Sequence, residues 1–259
     1  GLTVALMILV NNGGEQNYHI LTHSKWNGLT PCDLVFPFFL FMMGMSTYLS
    51  LRKTEFKPSL IIYRKIAKRT ILLFLIGLSI NWFDMICNGG GLDFAHLRIW
   101  AVLQRIALCY LFAALISLYV RPRHLWRVIA ALLIAYTAFL LLGNGYAADE
   151  TNLACRIDRA LVGPSHVYAH SPVDPEGLAG TLSAIAHTLI GVVVGFMLKV
   201  QAPLPDRLVR LFGLATALSL SGYLLSYGLP INKTIWSPSY TLLTSGIATA
   251  LPPLPLYPI

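Results

Sequence analysis

Long apolar runs alternate with short polar loops along nearly the whole chain. The runs are Leu2–Val10, Leu34–Leu51, about Thr70–Phe83, about Ile99–Val120, Val128–Leu142, Gly177–Val200 and Leu211–Leu229, and an eighth starts near Thr241. Several reach the ~17–25 residues with which a helix crosses a bilayer. They are continuous rather than alternating, which argues against a strand-built barrel. The pattern predicts an all-α fold: a polytopic transmembrane helical bundle of about 7 to 8 segments, the first and last incomplete, in one domain over residues 1–251. Leu2–Val10 is about half a crossing and has no basic region before it, so the chain reads as starting inside its first helix. Pro252, Pro253, Pro255 and Pro258 cannot continue a helix, and 252–259 reads as a tail outside the fold.

Composition agrees with this reading. Of the 259 residues 56% are hydrophobic and 12% charged, against roughly 25% charged in soluble domains. The net charge of +8 could suggest nucleic acid, but its placement argues against that reading. Thirteen of the 19 basic residues fall in three loops beside apolar runs: 52–69, 121–127 and 199–210. That is the bias of cytoplasmic loops. Alternation then puts the loops 11–33, 84–98, 143–176 and 230–240 on the extracytoplasmic face. Cys32, Cys87, Cys109 and Cys155 show no metal-ligand spacing, and a bridge among Cys32, Cys87 and Cys155 stays open. No metal is expected.

The polar residues concentrate in those extracytoplasmic loops. His23 lies in a polar loop just outside the membrane; an imidazole there can take a proton from an amine or carry an acyl group, or it is an ordinary loop histidine. Trp26 and Asn27 offer a stacking face and an amide, or an interfacial anchor and an Asn-Gly turn. Asp33 can orient His23, but a helix cap is its first expected role. Gln104 and Arg105 lie about six residues inside an apolar run, where a charge costs a few kcal/mol. They suit an anion site or a buried ion pair with an acid such as Asp33. Asp174 and Glu176 open the Gly177 segment, where acids favour a helix dipole; His170 nearby is a weaker candidate. Asn232 and Lys233, close to Trp236, suit a sugar or phosphate contact, or form only a loop with an interfacial aromatic. His187 reads as a packed helix histidine, and His19 carries no role.

Four blocks carry a resemblance. Asn11–Phe41, NNGGEQNYHILTHSKWNGLTPCDLVFPFFLF, resembles the V-N-x-G-G and H-x-x-W-N-G-L-T-x-x-D-L-V-F-P-x-F-x-F block of the heparan-α-glucosaminide N-acetyltransferase family. Arg98–Tyr110, RIWAVLQRIALCY, resembles its R-I-x-x-V-L-Q-R block. Asp174-Pro175-Glu176-Gly177 and the run from Asn232-Lys233 to Trp236-Ser237-Pro238-Ser239-Tyr240 resemble its D-P-E-G and N-K-x-x-W-S-x-S-Y. The blocks occur in order over about residues 1–246.

The resemblance implies a multi-pass enzyme that moves an acetyl group from cytoplasmic acetyl-CoA to a glucosamine-type amino sugar across the membrane. It puts the family's essential histidine at His23. Trp26, Asn27, Asp174, Glu176, Asn232 and Lys233 are then expected toward the acceptor, and Arg105 and Gln104 toward acetyl-CoA. The short 143–176 loop favours a bacterial inner-membrane protein acting on a small amino sugar or an envelope glycan; a homodimer stays open. The competing reading is a transporter of a small anionic or sugar solute without acyl transfer, which needs polar groups near the midplane: Gln104, Arg105 and His187.

Overall fold

The computed structural model describes residues 2–11, 22–89, 91, 94–168 and 171–251. His19, Gly13–Gly14, His170 and the 252–259 tail lie outside the described residues. The α-helices are α1 (Leu2–Asn11), α2 (Val35–Arg52), α3 (Leu60–Cys87), α4 (Val102–Tyr119), α5 (Leu125–Leu142), α6 (Leu153–Val162), α7 (Thr181–Lys199), α8 (Leu204–Leu225) and α9 (Pro238–Ala250). Six of them, α2, α3, α4, α5, α7 and α8, are long and apolar enough to cross a membrane. The chain folds as a polytopic helical bundle.

The bundle is built around α7, of which 78% is buried, while α3 is 6% buried along its apolar span. α7 packs on α2, α4, α5 and α9. Its approach to α2 depends on glycines, because a Cβ on Gly44 would stand 2.1 Å from the Thr188 carbonyl oxygen and one on Gly191 would stand 2.2 Å from that of Phe41. Both neighbours are backbone, so the two helices meet at glycine distance, as membrane helices without a hydrophobic drive to associate commonly do. Gly222 and Gly246 play the same part between α8 and α9.

Four segment boundaries differ from the sequence reading. α3 starts at Leu60, not near Thr70, with Ser59 Oγ accepting from the Ile62 N–H at 3.3 Å. Arg64, Lys65, Lys68 and Arg69 are therefore helical; they interrupt the apolar pattern but are good helix formers whose heads reach the interface. Arg69 lies 4.5 Å over the Tyr110 ring. α8 likewise starts at Leu204 and includes Arg207 and Arg210. α4 starts at Val102, so Arg105 is in its first turn and not six residues deep. α7 starts at Thr181, so Asp174 and Glu176 precede a turn and do not sit at the helix N-terminus.

The polar stretch between α5 and α7 contains α6, a helix that the apolar pattern does not predict. Asn152 caps it, its side chain accepting from the Ala154 N–H at 2.9 Å and donating to the Gly145 and Ala147 carbonyls. Its buried face holds Ala154, Cys155 and Asp158. The four cysteines are free; Cys87 is exposed and the others are buried.

Candidate active site

Two loops far apart in sequence meet at one end of the bundle. The first, 22–34, finishes in a 3-10 turn, Pro31–Leu34, that leads into α2. Asp33 organises it. Its Oδ2 accepts from the Thr30 N–H at 3.1 Å, the Thr30 hydroxyl at 3.0 Å and the Ser24 N–H at 3.3 Å. Its Oδ1 takes His23 Nδ1 at 2.8 Å. The N-cap of this turn is Thr30 and not Asp33, which stands at the third position and accepts from the Thr30 N–H; one fully buried carboxylate thus closes the turn and orients His23.

The second loop, 230–237, closes over the first. Gly28 N–H donates to the Ile231 carbonyl at 2.8 Å, and Asn232 Nδ2 donates to Asn27 Oδ1 at 3.2 Å. Gly28 has φ +125°, in the left-handed region open to glycine. Lys233 Nζ stands 3.3 Å from Asp33 Oδ1 and 3.2 Å from His23 Nδ1. The Tyr240 hydroxyl donates to the Asp33 carbonyl at 2.6 Å. Imidazole and ammonium converge on one carboxylate oxygen. A carboxylate facing Nδ1 selects the tautomer protonated there and leaves the Nε2 lone pair for chemistry. The His23 side chain is 53% exposed, so a substrate can reach it.

Of the other residues expected here, Trp26 points its indole N–H at the Tyr146 carbonyl, 3.1 Å away, and so ties the loop to the segment after α5. Asn232 is fully buried; its Oδ1 accepts from the Ile235 N–H at 3.1 Å and its backbone N–H donates to Ser237 Oγ at 3.0 Å. Asn232 shapes the loop and holds Asn27.

Asp174 and Glu176 do not reach His23. They form a second cluster with Arg98, whose Nη2 donates to Asp174 Oδ1 and Glu176 Oε2, each at 2.7 Å. Asp174 also accepts from the Tyr168 and Glu176 N–H groups, and the Arg98 guanidinium lies 4.5 Å over the Tyr168 ring. Burial would lower the Arg98 pKa, but Asp174 and then Glu176 hold it above its ordinary value. Two acids spaced by one residue read as a helix start or an amine site in sequence, and their cation is 76 positions away from the first of them.

Arg105 and Gln104 are buried, 1% and 0% exposed. Arg105 Nη2 donates to the Gly177 carbonyl at 2.7 Å, and its guanidinium lies 5.3 Å from the Trp236 ring centre. No ion pair joins Arg105 to Asp33 among the described contacts. Arg105 Nε and Nη1 and both amide atoms of Gln104 are buried without a hydrogen-bond partner. Asp158, not singled out in the sequence, lies close by: Oδ1 accepts from the Leu178 N–H at 2.8 Å, Oδ2 has no partner, and burial pushes its pKa up to about 6. His187 is fully buried in α7, with Nδ1 3.1 Å from Ser245 Oγ. Tyr240 was legible only as the last letter of a block, and nothing in the sequence marks the Tyr136 hydroxyl that donates to the Ile235 carbonyl.

The fold and this centre define a multi-pass α-helical membrane protein with a carboxylate-oriented histidine at one end of its bundle. A family profile described as a domain of unknown function (DUF5009) matches residues 19–143. The chain is 32% identical over 324 aligned positions to the heparan-alpha-glucosaminide N-acetyltransferase of Homo sapiens, covering 100% of this chain and 47% of that protein. The Mus musculus protein of the same name matches at 32% over 323 positions, with 100% and 48% covered. The chain is thus similar along its whole length to these two proteins, and it spans about half the length of the curated relatives it matches. The alignment is longer than the chain, so the human protein carries insertions relative to it.

Proposed function

We propose that this protein transfers an acetyl group from cytoplasmic acetyl-CoA to a glucosamine-type amino sugar on the extracytoplasmic side, with His23 as the reacting base or acetyl carrier. The observation that carries the reading is the His23–Asp33–Lys233 cluster, with an exposed imidazole on a fully buried carboxylate. The match to proteins named as N-acetyltransferases supplies the reaction class.

In the base route, the amine nitrogen attacks the thioester carbonyl, the carbon–sulfur bond breaks and CoA leaves as thiolate. His23 Nε2 takes the proton from the amine, and Asp33 stabilises the imidazolium that forms. In the carrier route, Nε2 itself attacks the thioester, the carbon–sulfur bond breaks and CoA leaves as thiolate; the amine then attacks the acetyl-imidazole, the carbon–Nε2 bond breaks and the amine proton passes to Nε2. Asn27, held by Asn232, supplies an amide beside the histidine. Arg105 and Gln104 fit the donor side, because their unpartnered buried N–H and C=O groups match the amides of a pantetheine arm. For a solute carrier the structure offers less: Gln104 and Arg105 lie in the first turn of α4, and only His187 is well inside a helix.

The test is acetyl transfer from radiolabelled acetyl-CoA to glucosamine by the full-length protein in detergent. Label should appear on the sugar with the wild type and fall at least a hundredfold with His23→Ala, as expected on removing a general base or nucleophile. Label on the wild-type protein without acceptor, absent from His23→Ala, selects the carrier route. Absence of both transfer and CoA release from a folded wild type overturns the proposal.

A further inference from the structure

A cleft of about 890 Å3 opens at the same end of the bundle, between the end of α3, the strand of chain before α4 and the loop after α6. His23 is not in its wall. Its volume falls within the roughly 300–1,000 Å3 of ligand sites. The walls are fixed by three crosslinks. Asn81 Nδ2 donates to the Arg98 carbonyl at 2.9 Å, the Ile99 N–H donates to the His166 carbonyl at 3.0 Å, and His166 Nδ1 lies 2.7 Å from the Leu97 carbonyl.

The chemistry of the lining narrows the ligand. Arg98 is already held by two carboxylates, and Arg159 is 2.7 Å from Glu150. Free phosphate or sulfate would have to compete with those acids. A lipid tail needs an apolar wall, and here Asn88, Ser165 and Ser171 present amide and hydroxyl groups. Met85, Val167 and Pro172 stand among them as small apolar faces. Hydrogen-bonding groups interspersed with small apolar faces suit sugar rings, which have hydroxyls at the edge and C–H faces. Asp84 adds an exposed carboxylate for an ammonium group.

We infer that this cleft is a second saccharide site, which holds distal units of an amino-sugar chain whose terminal unit reaches His23. Its location supports the link. The 143–168 segment touches both places, with the Tyr146 carbonyl receiving Trp26 from the His23 loop and Arg159 and Tyr168 lining the cleft. The inference rests on the acetyl-transfer reading for the connection to His23, and its test reads binding directly.

The experiment titrates a tetramer of β-linked glucosamine, and its fully N-acetylated counterpart, against the full-length protein in lipid nanodiscs by saturation-transfer NMR. The wild type should bind the amine form more tightly. Asp84→Asn should weaken the amine form about tenfold, the loss of one charge-assisted contact, and leave the N-acetylated form unchanged. Ser165→Trp, which fills the cleft, should weaken both. Neither substitution should alter transfer to free glucosamine. No binding by the wild type, or equal affinity in wild type and both variants, overturns the inference even if transfer occurs. Binding with the expected variant pattern but no transfer upholds the cleft and sinks the proposed reaction instead.

Discussion

At the scale of single residues, Asp33 carries the site. It receives five donors or cations: His23, Lys233, the Thr30 and Ser24 backbone N–H groups and the Thr30 hydroxyl. In Asp33→Asn one of the two oxygens becomes an NH2 that faces donors. Transfer should fall with His23-like severity, and stability should fall by about 1–3 kcal/mol for the unsatisfied buried groups. Thermal unfolding and transfer, measured on one preparation, check both. Lys233→Gln keeps the backbone of the 230–237 loop and should lower transfer with a smaller loss of melting temperature. Asp158 gives a pH prediction. Its pKa rises from 3.8 to about 6 on burial. The folded state then binds its proton more tightly than the unfolded chain, so stability is greatest below pH 4 and declines as pH rises to 6. The full cost of ionising it is about 3 kcal/mol. Asp158→Asn should therefore raise the melting temperature at pH 7.5 and change it little near pH 4. His23, Trp26 and Asn27 were legible because they share one loop. The Asp33–Lys233 contact was not, because hydrogen-bond partners 200 positions apart leave no local pattern.

At the scale of elements, the bundle depends on where glycine permits contact. Gly44→Ala and Gly191→Ala each drive a methyl group into backbone of the facing helix. Each should destabilise by about 1–3 kcal/mol as overpacking, read as a fall in melting temperature in detergent. Gly213→Ala in α8, where a Cβ meets nothing within 4 Å, should instead stabilise by up to about 1 kcal/mol through helix propensity. The apolar runs made the membrane helices legible, but hydropathy alone misplaced their ends. α3 and α8 begin inside basic stretches, because the helix continues through the interface while the apolar run does not. α6 escaped for the opposite reason: at ten residues, with Asp158 on its buried side, it has too little apolar length to announce a helix.

At the scale of the whole molecule, the helix directions put the basic ends of α2 and α3 together and the His23 loop, the 94–101 segment, α6 and the 230–237 loop at the other end. Cys87, exposed at the His23 end of α3, should react with a membrane-impermeant maleimide added outside intact cells. Buried Cys32, Cys109 and Cys155 should react only after denaturation, and labelling of Cys87 only from the cytoplasmic side would invert the assignment. The distribution of lysine and arginine is the basis of that expected sidedness, while the separation of His23 from the Arg98 cluster needed the fold. The pairing of Asn27 with Asn232, 205 positions apart, also has a consequence in time. A ribosome adding about 5–20 residues per second needs roughly 10–40 s to reach the second partner after making the first. During that interval the histidine loop has neither Lys233 nor Tyr240 to set it. Competence of the centre therefore arrives late in synthesis, after most of the bundle has been inserted.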